Sequence, residues 1–394
     1  PGDSFAANFD TSYEFNDEEL VLRGGVDIPI TEGFAVRLSG YTQNLDKGWI
    51  DQIRPTGTSY GPRYQNWAGR LVALARPNDA FTARLKYEHD EIRTRGSSQQ
   101  AVSNPANDPN IVEADLDNVT YANQPAPYNV GDDFIDMSHD TLMLELTYEL
   151  SNHSVVATAG YTEYDYLQGL DADVGPNAVA ATAPDDRYEQ FSAELRFAGP
   201  IRSNLDYIAG LYVQNEKQRP GFLFNNRVIF GRYAWLDTEA DQWSLFGNVS
   251  WKPAPNFTID LGARYSDIER TSDQFVVGTI PLTTTPLPGS PISPHDLLGI
   301  ETPDSFFMPQ AIVSWQPTGD LNLFAKVVKG NKAGGVDSQY AAPGNLANVA
   351  SATFKAEEAL SYEVGFKSYL LDGRLSFDVA VFRTDYEDLQ VNSF

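Results

Sequence analysis

Four histidines, His89, His139, His153 and His295, are the first places to look for catalysis, because imidazole moves protons and binds metals near neutral pH. None belongs to an HExxH pair, no Gly-x-Ser-x-Gly elbow presents a serine, and no phosphate-cradling P-loop occurs. Cysteine is absent, which removes thiolate nucleophiles, thiolate metal sites and disulfides together. The expectation is a protein that is not an enzyme, with no catalytic residues, no metal ligands and no cofactor. His153 lies among turn formers and reads as a solvated turn residue. The Gly334-Gly335 pair has no strand–helix context, so it reads as a mobile outer loop rather than a nucleotide loop.

Binding chemistry is better represented. Trp49, Tyr60 and Tyr64 fall in one polar segment, and Phe222, Phe224, Phe230, Tyr233 and Trp235 crowd another beside Arg219, Arg227 and Arg232. Exposed rings are costly unless something covers them. Rings with guanidinium groups suit an anionic, partly flat solute such as a ferric catecholate, and they stack on sugars nearly as well. Packing of loop on loop would use the same rings. The expected ligand contacts are Trp49, Tyr60, Tyr64, Phe222, Phe224, Arg227, Phe230, Arg232, Tyr233 and Trp235.

Carboxylates concentrate elsewhere. Between Gly96 and Met137 there is no Lys or Arg, while Asp108, Glu113, Asp115, Asp117, Asp132, Asp133 and Asp136 are present. Cation capture is one reading; a solvated loop beside lipopolysaccharide is the other, and no EF-hand spacing favours the first. Asp171-Ala-Asp173 is equally unspecific.

The elements that must position these groups are strands. Leu142, Leu144, Leu146, Tyr148 and Leu150 alternate with Thr141, Met143, Glu145, Thr147 and Glu149, and the same period recurs at 81–88, 190–197, 257–265 and 360–367. A period of two gives each strand one apolar and one polar face. About fifteen such strands can be counted between residues 4 and 391. Short turns fall at Thr31–Gly33, Pro77–Asp79, Ser151–His153, Gly199–Ser203, Pro253–Pro255, Pro317–Asp320 and Leu371–Gly373. Long segments near 44–65, 94–137, 168–187, 218–239, 271–304 and 330–358 lie between them. Compact soluble domains rarely carry loops beyond about 12–15 residues, and here every second connection is long. That alternation predicts an all-β fold, an antiparallel transmembrane β-barrel with short periplasmic turns and long extracellular loops. Trp243 and Trp251, like Phe257 and Tyr265, share a face eight residues apart. On tilted strands that spacing puts them roughly 20 Å apart along the barrel axis, near the height of a lipid-facing band with aromatic girdles. Polar residues on the other face, Arg84, Glu145, Glu194, Arg196, Asp260, Arg264, Glu363 and Lys367, would line a solute path or form structural ion pairs.

Composition sets the outer limits. Lys+Arg 28 against Asp+Glu 54 leave a net charge of −26, which argues against nucleic acid as a partner. No apolar run approaches the roughly 18 residues of a membrane helix, yet aromatic residues reach 12%, high for so acidic a chain.

Leu321–Lys329 (LNLFAKVVK), Gly330–Asp337 (GNKAGGVD), Glu357–Lys367 (EEALSYEVGFK) and Ser376–Val391 (SFDVAVFRTDYEDLQV) resemble the later barrel strands of TonB-dependent outer-membrane receptors. Gly24–Arg37 (GGVDIPITEGFAVR), followed by Gly48–Ile50, is similar to the early ones. The resemblance covers most of the chain and is strongest over 321–391. It implies a barrel of about 22 strands with a plugged lumen, of which residues 1–394 would supply part of one barrel domain without the N-terminal plug or the last strands. It further implies a bacterial outer-membrane location, lipid and lipopolysaccharide around the wall, and the TonB complex acting through the plug. The implied activity is energised import of a scarce small solute, a ferric siderophore first. Uptake of an oligosaccharide or other nutrient by the same machinery, a passive porin, and a structural or adhesion barrel are the alternatives.

Overall fold

The computed structural model describes residues 1–54, 57–96, 133–171, 180–226, 231–279, 286–288, 295–338 and 349–391. The strands are β1 (Ala6–Glu14), β2 (Glu19–Thr31), β3 (Phe34–Leu45), β4 (Ile50–Arg54), β5 (Gly57–Gly61), β6 (Arg63–Asn78) and β7 (Phe81–Arg95). They continue with β8 (Phe134–Leu150), β9 (His153–Asp171), β10 (Ala180–Arg202), β11 (Leu205–Asn226), β12 (Gly231–Ala254) and β13 (Phe257–Thr279). The last are β14 (His295–Glu301), β15 (Asp304–Thr318), β16 (Leu321–Lys332), β17 (Gly335–Val336), β18 (Thr353–Phe354), β19 (Glu357–Leu370) and β20 (Leu375–Glu387). A single helical turn, α1 (Val349–Ala352), precedes β18.

Fifteen strands form one antiparallel meander in chain order, β1-β2-β3-β6-β7-β8-β9-β10-β11-β12-β13-β15-β16-β19-β20, with β14 added to β13. Paired residues share a face of the sheet, so the register shows which side chains point together. Leu85, Leu144 and Ala159 form one outward row, and Val249, Leu261 and Ala311 another. Leu142, Leu144, Leu245 and Leu261 are all exposed, whereas Thr141, Met143 and Glu145 on the other face are half-buried. The apolar face is outside, as the alternation predicts.

That face carries an upper and a lower aromatic belt. Trp67, Tyr161, Phe191, Trp243, Tyr265, Phe307 and Tyr362 form the upper one, and Tyr148, Phe197, Trp251, Trp315 and Phe377 the lower, all exposed. The upper belt reveals the strand tilt. Tyr161 pairs with Phe191, and that row continues through Asn215, Asp241 and Glu269. The belt instead steps to Trp243, two residues nearer the turns than Asp241, and to Tyr265, four nearer than Glu269. A drop of about one residue (~3.3 Å) per ~4.8 Å strand spacing is a tilt of about 35°, the value a closed membrane barrel requires.

The polar face holds charge pairs, most of them across strands. Arg70 binds both oxygens of Glu88 at 2.9 and 2.8 Å, Lys86 reaches the same carboxylate at 2.6 Å, and Lys326 meets Glu363 at 2.8 Å. Arg37 pairs with Asp27. Arg264 caps the hydroxyls of Ser244 (2.9 Å) and Ser266 (3.2 Å) and lies 5.1 Å from the Tyr212 ring. Structural pairing therefore accounts for part of the lumen charge, Glu363 and Arg264 among the residues named above.

The structure corrects the long segments. Strands β10 to β13 run 22 to 24 residues, so most of 168–187 and 218–239 is strand rather than loop. The hydrogen-bonded ladder continues above the belt, where neither face meets lipid and sequence alternation is no longer required. The 44–65 segment contains the β4–β5 hairpin. The described residues of the 330–358 segment, 330–338 and 349–358, fold inward as a strap, with β17 paired to β18. Gly334 and Gly335, expected to be mobile, are buried in it. Arg270 donates to the Gly334 carbonyl, the Gly334 amide donates to Asp304 Oδ2 at 2.8 Å, and a Cβ on Gly334 would lie 2.7 Å from the Phe354 oxygen. Close backbone approach is why glycine stands there. His153 opens β9 and packs 6.0 Å from the Tyr207 ring rather than standing in solvent.

Candidate functional site

The paired extensions of β11 and β12 carry the ring-and-arginine cluster, and their register divides it. Phe222 pairs with Ala234 and Phe224 with Arg232, on the face shared with Ser244 and Tyr212, which is the lumen face. Leu223 pairs with Tyr233 and Gly221 with Trp235, on the face shared with Trp243, which is the outside. Thus Phe222, Phe224 and Arg232 face inward together, with the Arg232 guanidinium 5.2 Å from the centre of the Phe222 ring. Burial holds Arg232 below the usual arginine range, and the charge of Asp337 in the strap opposes that shift.

Tyr233 and Trp235 belong to an outer cluster. The Trp235 and Phe275 rings stack at 5.8 Å and 23°, Tyr233 meets Phe275 edge-on at 6.4 Å, and Arg219 lies 5.5 Å over Trp235 while pairing with Asp237. Tyr233 also packs on the buried Ala183 and Leu223. Trp49 and Tyr64 meet edge-on at 6.1 Å, and burial, helped by Glu19, raises the Tyr64 phenol above its usual range. Tyr60 lies in β5, paired with Asp51. Its side chain, and Arg227 and Phe230 altogether, lie outside the described residues, as does most of the acidic 96–137 segment. Within that segment Asp136 binds Arg95 at 2.7 and 2.9 Å. Among the described residues no three His, Asp or Glu side chains gather as a metal site.

Sequence reasoning missed a tyrosine wall on the lumen face, above the belt. Tyr164 and Tyr188 are register partners whose rings stack at 5.4 Å and 19°. Tyr164 donates to Asp186 Oδ2 at 2.9 Å, Tyr188 to Gln190 Oε1 at 2.5 Å, and Tyr212 to Gln214 Oε1 at 2.6 Å. Gln214 donates in turn to Glu216 at 2.8 Å, with Arg270 at 3.9 Å from the same carboxylate. Burial first, then Asp186 for one and Glu216 for the other, push the Tyr164 and Tyr188 phenols up to about 12. Both therefore remain hydrogen-bond donors at any physiological pH. Asp186 keeps Oδ1 buried without a hydrogen-bond partner among the described residues. Phe222 lies four residues up β11 from Gln218, which pairs with Tyr188, so the ring-and-arginine group stands about 13 Å above the wall along the strand. Tyr188 and Tyr212 each stand two residues before a Gln that accepts from the phenol, but the outward Tyr161 and Tyr265 have the same spacing, so spacing alone does not locate the wall.

The strap closes the β12–β13 side of this face. Leu236, Ile300, Val336 and Ala352 form a buried cluster beneath it, and Gln274 donates to the Asp337 carbonyl.

A family model for the TonB dependent receptor-like β-barrel matches residues 82–394. The chain belongs to that family. The receptor barrel is accordingly an outer-membrane protein, and its first strands, which precede the matched region, continue the same sheet. It is similar to the ferric-catecholate import receptor Fiu of E. coli K12 in its closed form, at 16% identity and a TM-score of 0.74, over 98% of this chain and 59% of that one. It is similar to the ferric yersiniabactin uptake receptor FyuA of Yersinia pestis, at 16% identity and 0.71, over 98% of this chain and 55% of that one. The alcaligin outer-membrane receptor FauA of Bordetella pertussis matches at 15% identity and 0.60, over 100% and 54%. The receptor barrel thus spans a little over half the length of these proteins, and at such identities the likeness speaks for the fold alone.

Proposed function

We propose that the receptor barrel serves energised import of a scarce solute, with a plug in its lumen through which the TonB complex acts, and that the solute is a ferric siderophore. Its outer wall would be bathed by lipid and lipopolysaccharide. The observation that carries the solute assignment is the inward Arg232–Phe222 pair with Phe224 beside it, above the stacked tyrosine wall. A guanidinium over a ring offers charge-assisted hydrogen bonds and a flat contact to an anionic metal chelate. A neutral oligosaccharide is the second reading. The tyrosine, glutamine and serine side chains below suit hydroxyl groups, and stacked rings suit sugar faces.

The two readings separate on one residue. In the full receptor on cells, Arg232→Ala should weaken binding of a ferric tris-catecholate about tenfold or more, the loss of one charge-assisted hydrogen bond of about 1.5–3 kcal/mol, and leave maltohexaose unaffected. Phe222→Ala should weaken both, whereas Trp235→Ala, on the outer face, should weaken neither. Wild-type affinity of Arg232→Ala for the chelate overturns the anionic assignment.

A further inference from the structure

The lipid-facing wall is notched where β1, β2, β3 and β6 approach the upper belt. Gly24 pairs with Gly40 and Gly40 with Gly69, so three glycines lie in one outward row, which Phe9 continues on β1 and His89 on β7. The result is an open groove of about 750 Å³ with a glycine floor. Phe9 covers the Gly24 end, where its Cδ2 would be 3.4 Å from an added Cβ, and Trp67 leans over the Gly69 end. Val26, Leu38 and Leu71 continue the apolar surface toward the midplane.

Only one of these glycines excludes a Cβ. A Cβ on Gly24 would sit 2.9 Å from the Asn8 oxygen, but on Gly40 and Gly69 it would meet nothing nearer than 3.8 and 3.9 Å. Neither Gly40 nor Gly69 has a positive φ. Glycine weakens a strand interior, so packing and backbone geometry leave the missing side chains at 40 and 69 unexplained. What they make room for lies outside the sheet.

We propose that this groove binds one acyl chain of lipid A, the acylated sugar of the outer leaflet. The groove is continuous with the lipid-facing band, and Gly69 stands two residues below Trp67 of the upper belt, which sets its depth in the hydrocarbon of that leaflet. Hydrocarbon therefore covers it. Its polar groups lie at the upper end, at belt height, where the headgroup begins. There Tyr87 donates to Asp140 Oδ1 at 2.6 Å, His89 Nδ1 lies 2.9 Å from the same oxygen, and the His89 ring packs 4.8 Å from Trp67. An acyl chain along the floor supplies the contacts that side chains at 40 and 69 would have made, and the polar end meets the hydroxyl and amide groups of the acylated sugar.

The test is native mass spectrometry of the full receptor after exchange into delipidating detergent and incubation with lipid A. Wild type should retain one lipid A per barrel. Gly40→Leu/Gly69→Leu, which fills the floor, should lower occupancy at least tenfold, and the outward Gly247→Leu should leave it unchanged. Gly40→Ala, for which the structure has room, should give an intermediate loss and decides the matter if the double variant does not fold. Equal retention by wild type and Gly40→Ala overturns the proposal. So does retention of phospholipid in place of lipid A, or a two-chain mass that disappears on filling the groove, which would make it a contact between copies.

Discussion

Replacing Leu261 or Leu144 with arginine is expected to destabilise the receptor barrel by about 2–4 kcal/mol, the cost of a cation at the lipid midplane of a β-barrel. Leu261 stands midway between Phe257 and Tyr265 on the belt-bearing face and is 56% exposed, with Val249 and Ala311 beside it. Leu144 lies between Leu85 and Ala159 and is 37% exposed. Arginine at either position has no partner and no water within reach. Thr258 is a neighbour of Leu261 in sequence but points to the lumen, so Thr258→Arg should cost much less. Denaturation and refolding of the full receptor in lipid vesicles measures all three. Equal losses would mean that the apolar face packs against protein, as in a soluble sandwich, and the lipid-facing assignment would fail.

Inside the membrane the sequence was close to transparent, because lipid on one side and polar lumen on the other force a different side chain at every second position. The strands around Leu144, Phe191 and Leu261, the short turns between them and the eight-residue ring spacing all follow from that constraint. Above the belt the constraint lapses. Residues 218–239 lose alternation, yet the backbone ladder runs on to Asn226 and resumes at Gly231. Read as a loop, the segment offers five neighbouring rings; read as a hairpin, it sends Phe222 and Phe224 inward and Tyr233 and Trp235 outward. Nothing in the local sequence makes that division, because it depends on the register carried up from Leu211 and Leu245. The tyrosine wall was hidden for a related reason. Tyr164, Tyr188 and Tyr212 lie on three strands and meet only through cross-strand pairing. Gly334 and Gly335 carry the usual marks of a mobile loop, and only the nearness of Phe354 and Arg270 shows why side chains are excluded there.

Loss of TonB is expected to abolish uptake of a ferric tris-catecholate while leaving its binding to the cell surface intact. The wall geometry supplies the physical reason. Fifteen strands are already present in the meander, and closing that many at about 4.8 Å spacing and 35° tilt gives a radius of about 14 Å or more. Side chains projecting inward cannot fill such a lumen, so a barrel of this size leaves either an aqueous channel or space for a plug. The proposed function requires the plug. Ion pairs such as Arg70–Glu88 and Lys326–Glu363 fix the wall's own charges, and the strap pinned by Arg270 and Gln274 narrows the extracellular side. In the proposed plugged barrel, a solute bound at Arg232 and the tyrosine wall would stay there until work is done on the plug, and no energy source lies within the outer membrane itself. Labelled chelate should therefore bind at 4 °C to cells with or without TonB, and accumulate on warming only in cells that have it. Undiminished accumulation without TonB would make the wall that of a passive porin. Loss of binding together with uptake would show instead that TonB shapes the outer site rather than releasing the solute from it.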